Sequence, residues 1–169
     1  MDPPDRQDRF LLVIQTNKGI IYKVANAYCR DAEDRKDLIQ EIIIQLWLAF
    51  EKYRPEFAIT TWIYRIALNV SISFYRQEHR RTTLNQPLSN KVVYLYEEND
   101  DGKTTADLYH LQRFIKELKE IDRAVILLYL EGKSYQETAD ILGLSVKNIS
   151  VKVFRIKESL KQKFSTIKS

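Results

Sequence analysis

Three acidic side chains at the start of an apolar segment have types and spacing that could do metal chemistry. Asp34, Asp37 and Glu41 occur in DAEDRKDLIQEIIIQLWLAF, and their spacing places them on one face of a helix. Grouped carboxylates can bind a divalent cation. They can also complement the positive end of a helix dipole or form a face for a partner. The segment holds no candidate nucleophile or general base, which favours a binding role over catalysis.

A second polar stripe follows in FAITTWIYRIALNVSISFYRQEHRR. At helical spacing it combines an aromatic ring, an amide, a hydroxyl and two cations, namely Trp62, Arg65, Asn69, Ser73 and Arg76. Rings beside cations suit unpaired bases and their backbone, because every base has a π-face. The alternative is that Trp62 and the neighbouring tyrosines only fill the core. The periodicity predicts that the buried stripe of this helix is Ile63, Ile66, Ala67, Val70 and Phe74.

The C-terminal end carries a third candidate site. Residues 145–169 hold seven Lys or Arg against one acidic residue, a balance that suits a polyanion. A helix here must turn its apolar stripe inward, namely Ile149, Val153, Ile156 and Leu160. Its other face then presents Lys147, Asn148, Ser150, Val151 and Arg155, with Lys152 at the edge. Such side chains can read guanine, adenine and the thymine methyl in the major groove.

Stop and cap residues divide this part of the chain into helices. Gly132 is suited to a left-handed helix end, and Gly143 can supply the turn between the next two helices. Ser134 with Glu137 forms a capping box, and Ser145 can cap the last helix. The pattern is typical of a helix-turn-helix. The alternative is an ordinary αα-hairpin with a basic surface.

The composition predicts an all-α protein. The chain has 169 residues, is 44% hydrophobic and 30% charged, and contains only four Gly and four Pro, which argues against a turn-rich β fold. The single Cys29 excludes an internal disulfide, and two histidines argue against a Cys/His zinc site. We expect Cys29 to lie in the core, and we expect no metal and no cofactor.

No apolar run approaches the roughly 20 residues that span a bilayer. The N-terminal MDPPDRQDRF is polar. We therefore expect a cytoplasmic protein without membrane insertion.

The segment 81–105 breaks the helical pattern. It contains Pro87, an acidic cluster and an Asp-Gly pair at 101–102, and it is too long for an ordinary connection within a compact domain. We expect two small helical domains, 8–80 and 106–166, joined by a flexible linker at 81–105. VVYLY at 92–96 is expected to dock as an apolar anchor, with a short strand as the alternative.

Two stretches together resemble one protein family. QEIIIQLWLAFEKY, followed by TTWIYRIALN and then Arg76, resembles the core-binding and promoter-melting region of bacterial sigma factors. LEGKSYQETADILGLSVKNISVKVFRIKESL resembles their promoter-reading helix-turn-helix. Two such regions and a short linker are similar to the extracytoplasmic-function (ECF) class of RNA polymerase sigma factors. The resemblance covers most of residues 10–165 and implies promoter-specific transcription initiation without catalytic activity in the chain itself.

The resemblance also implies a role for each polar face. Sigma region 2, at 8–80, would bind the clamp helices of the largest polymerase subunit through Asp34, Asp37, Gln40 and Glu41. It would melt and read the −10 element through Tyr53, Thr61, Trp62, Arg65, Asn69, Ser73 and Arg76. One base would be flipped into a pocket, with Asn69 as its polar reader. Sigma region 4, at 106–166, would read the −35 duplex through Lys147, Asn148, Ser150, Val151, Lys152 and Arg155.

The implied partners are core RNA polymerase (its clamp helices and flap), promoter DNA in duplex and melted form, and an anti-sigma factor. The linker would run toward the RNA-exit path. The chain departs from the family pattern at Ser73, where Asp is usual. It also departs at Ser150 and Val151, where a basic and a polar residue are common, so we expect a different −35 preference.

Two other functions fit parts of the sequence. A repressor or activator with a ligand-sensing N-terminal domain would form a dimer with an apolar pocket and a palindromic operator. The sequence shows no dimerising heptads. A metal-dependent nuclease would use the acidic helix for catalysis.

Overall fold

The structure is a computed structural model that describes residues 5–85 and 106–168. All regular structure in these ranges is helical, which confirms the all-α prediction. The chain divides into two compact units, Met1–His79 and Arg80–Ser169. The last helix that begins in the first unit continues to Asn85, past the boundary at His79 and five residues into the predicted linker. The rest of that linker, including VVYLY at 92–96, lies outside the described residues.

The first unit contains three long helices and a short 3₁₀ helix. Their bounds are α1 Arg6–Tyr28, α2 Ala32–Ala49, the 3₁₀ helix Phe50–Lys52 and α3 Ile59–Asn85. The inward face of α2 is as predicted, with Leu38, Ile42 and Leu46 fully buried. These side chains leave the acidic residues of the same helix on its outer faces.

The predicted buried stripe of α3 was partly wrong. Ile63 and Ala67 are buried, but Ile66, Val70 and Phe74 are only half-buried. The side chains that fill the core are Ile63, Tyr64, Ala67, Leu68, Ser71 and Ile72. Apolar residues occupy two adjacent faces of this helix, so periodicity alone could not choose between them. The buried stripe is rotated by about one residue from the predicted one. On its flank, the Tyr75 ring lies 6.3 Å from the Tyr28 ring of α1.

Cys29 lies in the core at the end of α1. Its side chain is buried. Burial, reinforced by the Asp34 carboxylate, raises the pKa of the Cys29 thiol to about 12. A thiol in this environment stays protonated and unreactive at neutral pH.

We expect alkylation of Cys29 by iodoacetamide at pH 8 to be at least about a hundredfold slower in the native protein than in denaturant, because each pKa unit removes about tenfold of the thiolate. Labelling measured by mass spectrometry is unambiguous, since the chain has one cysteine. The native thiol remains protonated where the unfolded thiol ionises, so stability should fall as pH rises from about 9 toward 12. Equal labelling rates in the two states would contradict this assignment.

The second unit contains four helices: α4 Ala106–Glu117, α5 Glu120–Leu130, α6 Tyr135–Leu142 and α7 Val146–Lys168. Its core is formed by Val125, Ile126, Ala139, Ile149, Val153 and Ile156. The inward stripe predicted for α7 is confirmed, and Leu160 packs against this core at its edge.

The predicted stops and caps are present. The Ser134 Oγ accepts from the Glu137 N–H at 3.0 Å, and the Glu137 carboxylate accepts from the Ser134 N–H at 3.0 Å. Gly132 and Gly143 adopt φ of 81° and 70°, a left-handed conformation that favours glycine. The Ser145 Oγ accepts from the Asn148 N–H at 3.1 Å. These local bonds fix where α6 and α7 begin and end.

Arg123 on α5 was not predicted to be important, yet only 2% of it is exposed. Its guanidinium donates to the carbonyl oxygens of Lys116 at 2.5 Å and Leu118 at 2.9 Å. The last carbonyls of a helix have no partner within it. Arg123 therefore closes the end of α4 and sets the turn into α5.

Candidate nucleic-acid interface

The N-terminal half of α7 presents a polar surface to solvent. Ile149, Val153 and Ile156 turn inward and are at most 4% exposed. Five of the six side chains predicted to contact the −35 element are exposed on the remaining faces, namely Lys147, Asn148, Ser150, Val151 and Arg155. A helix of this kind, preceded by a short helix and a left-handed glycine turn, has the form of a helix-turn-helix recognition helix.

Lys152 is placed differently from the other five. Its ammonium lies 3.2 Å from the carboxylate of Asp122 on α5, and the two side chains are only 29% and 31% exposed. Sequence reasoning missed this pair because the partners lie 30 positions apart. The structure therefore brings Lys152 to α5 rather than to the exposed face.

Basic residues further along α7 also contact the protein itself. Lys157 donates to the Tyr129 hydroxyl at 3.2 Å, a bond that raises the pKa of this lysine. Lys163 forms an ion pair of 2.9 Å with Glu117 on α4. Lys147, Arg155, Lys157 and Lys161 are exposed, whereas the ammonium groups of Lys152 and Lys163 are paired with carboxylates of α5 and α4.

The first unit carries a small pocket between the 3₁₀ helix, the loop after it and the start of α3. Its volume is about 140 Å³. Three rings, three cations and a hydroxyl line it: Tyr53, Phe57, Trp62, Lys52, Arg54, Arg65 and Thr61. Four of the seven residues predicted for the −10 element thus meet in one place, Tyr53, Thr61, Trp62 and Arg65. Aromatic and cationic walls suit an unstacked base and its phosphate.

Contacts among the rings define the shape of this pocket. The Tyr53 hydroxyl donates to the Phe57 carbonyl oxygen at 2.7 Å, which closes the loop. The Trp62 ring lies 5.2 Å from the Tyr53 ring and 6.2 Å from the Phe50 ring, centre to centre. The side chains therefore hold the loop against α3.

A second aromatic group supports Phe50 from α1. The Phe10 ring lies 5.1 Å from the Trp47 ring and 5.3 Å from the Phe50 ring. The Arg6 guanidinium stacks 4.1 Å from the centre of the Trp47 ring and pairs with Glu51 at 2.7 Å. Sequence reasoning missed this support, because Arg6 and Phe10 belong to a helix without a motif.

A larger cleft of about 530 Å³ lies between α2 and α3. Polar residues from the two predicted sets meet here: Asp37 and Glu41 with Asn69 and Ser73. The half-buried Val70 and Phe74 form its apolar lining. Asp34, Gln40 and Arg76 do not line this cleft or the small pocket. The predicted polymerase face and part of the predicted −10 face are therefore adjacent.

Two absences hold for the described part of the chain. Among residues 5–85 and 106–168, no group of three or more His, Cys, Asp or Glu side chains could hold a metal ion. In the same residues, no helix is both long and apolar enough to cross a membrane.

Two family models match the chain, one over each group of candidate DNA-binding residues. The family model of sigma-70 region 2 matches residues 13–81, and that of sigma-70 region 4 matches residues 110–160. Together the matches cover more than two thirds of the chain. The small pocket and the cleft lie in the first match, and the exposed face of α7 lies in the second.

Curated relatives match most of the chain. An ECF RNA polymerase sigma-E factor of Haemophilus influenzae is 27% identical over 162 residues, 86% of this chain and 83% of that protein. The ECF RNA polymerase sigma-E factor of Escherichia coli is 28% identical over 159 residues, 84% of this chain and 81% of that protein. The relatives therefore share both regions in the same order.

Solved structures share the fold. CnrH, in complex with the cytosolic domain of CnrY, matches with a TM-score of 0.68 and 21% identity, over 95% of this chain and 90% of that one. The sigma factor RpoE from Bartonella quintana, in complex with the anti-sigma factor NepR, matches with a TM-score of 0.67 and 20% identity, over 94% of this chain and 96% of that one.

Neither the family matches nor the relatives favour a ligand-sensing repressor or activator. The family matches identify region 2, which contains the pocket, and region 4, which contains the recognition helix. The sigma-E relatives match this chain along most of their own length. The chain belongs to the ECF sigma factors, which direct RNA polymerase to specific promoters.

Proposed function

We propose that each of the polar faces described above has a separate task in promoter recognition. Residues 8–80 act as region 2, residues 106–166 as region 4, and residues 81–105 as the tether. The observation that carries the proposal is the pocket in which Tyr53, Trp62 and Arg65 meet. A ligand-sensing repressor or activator would have an apolar pocket, whereas three cations line this one.

The outer face of α2 is proposed to bind the clamp helices of the largest polymerase subunit. Asp37, Gln40 and Glu41 are exposed, and Asp34 is half-buried beside them. Leu38, Ile42 and Leu46 anchor the opposite face in the core, so the acidic face is presented on a rigid helix. Its negative charge calls for a positively charged partner surface.

The pocket and the adjacent cleft are proposed to capture melted −10 DNA. A flipped base would enter the pocket between α3 and the loop of residues 53–58 (the Tyr53 loop), near Trp62 and Arg65. Stacking of a base on an aromatic ring contributes about 1–3 kcal/mol, which offsets the few kcal/mol of unstacking. Asn69 and Ser73 lie in the neighbouring cleft, where they could bond the edge of a base, and Arg76 could meet the backbone further along.

The exposed face of α7 is proposed to read the −35 duplex. Lys147 and Arg155 can donate to guanine or phosphate, Asn148 and Ser150 can bond base edges, and Val151 can contact a thymine methyl. Region 4 would also bind the polymerase flap. The chain itself would catalyse nothing, because the polymerase does the chemistry.

An anti-sigma factor is a proposed further partner. One of the similar solved structures holds RpoE with an anti-sigma factor, and the other holds CnrH with the cytosolic domain of CnrY. A partner of this kind would cover the polymerase- and DNA-binding faces of the present chain. Because core RNA polymerase and promoter DNA are the proposed partners in transcription, we propose a cytoplasmic location.

Replacement of Asn69 by Ala is expected to lower transcription from a cognate promoter by about tenfold, because a lost polar contact to a base costs about 1–3 kcal/mol. Binding to core polymerase should stay within about twofold of wild type. Transcript yield at a limiting concentration of holoenzyme, formed with sigma factor in excess over core polymerase, measures the first quantity, and a titration of core polymerase without DNA measures the second.

Asn26→Ala is the matched control, since Asn26 is an exposed amide of the same unit and lines neither the cleft nor the small pocket. It should leave transcription near the wild-type level. Equal loss of core binding and transcription in Asn69→Ala would show that Asn69 does not act on DNA.

A further inference from the structure

We infer that Lys152 is a positioning residue, which holds the recognition helix at its working angle through Asp122 and does not itself read the −35 element. The inference rests on the proposed −35 function of α7. Lys152 therefore has a different role from the exposed residues around it, which contact DNA, and Asp122 has the role of its partner in positioning.

The position of Lys152 on α7 explains why its side chain turns to α5. With about 100° of rotation per residue, Lys152 lies about 70° to one side of the centre of the buried stripe formed by Ile149, Val153 and Ile156. Lys147 and Val151 lie on the opposite side of the helix. The Lys152 stem therefore runs along the edge of the core, and its ammonium meets Asp122 at 3.2 Å.

A second lysine contacts α5 from the other flank of the same stripe. Lys157 lies about 70° from the centre of the stripe in the opposite direction, and it donates to the Tyr129 hydroxyl at 3.2 Å. Asp122 and Tyr129 lie seven residues apart on α5, about two helical turns. The two lysines thus bracket the apolar contact between α5 and α7.

The two lysine contacts restrict the roll of α7 about its own axis, which apolar packing restricts only weakly. Ile149, Val153 and Ile156 hold α7 against the core, but aliphatic contacts along one stripe tolerate a small roll of the helix about its axis. Polar contacts on both flanks have directional bonds and restrict that roll. The roll angle decides which base edges Lys147 and Arg155 can reach, so loss of the Asp122 contact should reduce specific binding.

The test uses the full chain and a short duplex selected by the wild-type protein from a random-sequence pool. Lys152→Met should weaken binding to this duplex by about five- to tenfold. The slope of log affinity against log salt should not change, because no phosphate contact is lost. Asp122→Asn should cause a similar loss although it removes a negative charge, and the double variant should be no worse than either single one.

Two further variants distinguish positioning from reading. Lys152→Arg preserves a cation for Asp122 and should retain affinity within about twofold. The exchange of the two charges, Lys152→Asp with Asp122→Lys, should recover most of the affinity that Lys152→Asp alone loses. Lys147→Met is the control for a DNA contact, and it should reduce the salt slope by about one.

Stronger binding by Asp122→Asn, or a salt slope lowered by about one in Lys152→Met, would show that Lys152 contacts DNA and would overturn the inference. Unchanged affinity in both variants would overturn it as well. If Lys147→Met also left affinity and slope unchanged, or if the wild-type protein selected no sequence, the proposed −35 function would fail, and the inference with it.

Discussion

Reversal of two charges on α2, Asp37→Lys with Glu41→Lys, is expected to weaken binding to core RNA polymerase by about a hundredfold or more. Both carboxylates are exposed and line the cleft beside α3. Like charges brought together across an interface cost several kcal/mol, and about 2.7 kcal/mol corresponds to a hundredfold. A titration of labelled protein with core polymerase, without DNA, measures the loss directly.

Asp8→Lys is the control that matches the change in charge of the single variant Asp37→Lys, which is measured beside the double one. Asp8 is exposed in the first turn of α1, and its replacement changes the charge of the same unit in the same direction. It should leave core affinity within about threefold of wild type, apart from general electrostatic attraction. If the α2 variant and the Asp8 variant bound core polymerase equally, α2 would not be the polymerase-binding face.

Arg123→Met is expected to destabilise the second unit by about 3 kcal/mol while leaving the first unit unchanged. The substitution keeps most of the apolar volume but removes the bonds to the Lys116 and Leu118 carbonyl oxygens. Hydrogen bonds from a charged donor contribute about 1.5–3 kcal/mol each, and buried carbonyls left without a partner add to the cost. The turn between α4 and α5 should open first.

The two tryptophans, Trp47 and Trp62, make this effect measurable. Both lie in the first unit, so tryptophan fluorescence follows that unit alone, whereas far-ultraviolet circular dichroism follows both. In urea, the circular dichroism transition of Arg123→Met should move to lower denaturant, while the fluorescence transition stays in place. Arg113→Met, at a largely exposed arginine of α4, should move neither. A shift of both transitions in Arg123→Met would contradict the assignment.

The helix-turn-helix could be predicted from sequence because its determinants are local. Ser134 with Glu137, Gly143 and Ser145 each act within a few residues, and the apolar stripe of α7 has one unambiguous face. Caps and left-handed glycines have few alternative uses, so their pattern predicts boundaries as well as elements.

The first unit was harder to predict because its determinants are tertiary. Apolar residues on two adjacent faces of α3 fit helical spacing equally well, and only the tertiary packing of the folded unit buries Tyr64, Leu68 and Ile72. Five of the seven residues predicted for −10 recognition came from one stripe. The structure places Trp62 and Arg65 of this stripe in the pocket and Asn69 and Ser73 in the cleft, whereas Arg76 lines neither. That division depends on the conformation of the Tyr53 loop, which hydrophobic periodicity does not predict.

Contacts between residues distant in sequence account for the other differences between the predicted and the observed structure. Arg123 was not predicted to be important, since a buried arginine looks like any surface cation until its acceptors are known. The sequence marks Asp122 only as a charge near the start of a helix, and its pairing with Lys152 could not be inferred. The exposed charge of α7 is consequently smaller than its composition suggests, because Lys152 and Lys163 are paired with carboxylates of α5 and α4.

Transcription of genomic DNA from the source organism by bacterial core polymerase, with and without this protein, tests the central claim most directly. The 5′ ends of the transcripts are sequenced in both reactions. The protein should create discrete new start sites, each preceded at constant spacing by the same two sequence elements, and Asp37→Lys with Glu41→Lys should abolish them. Identical transcripts in the two reactions would contradict a sigma function.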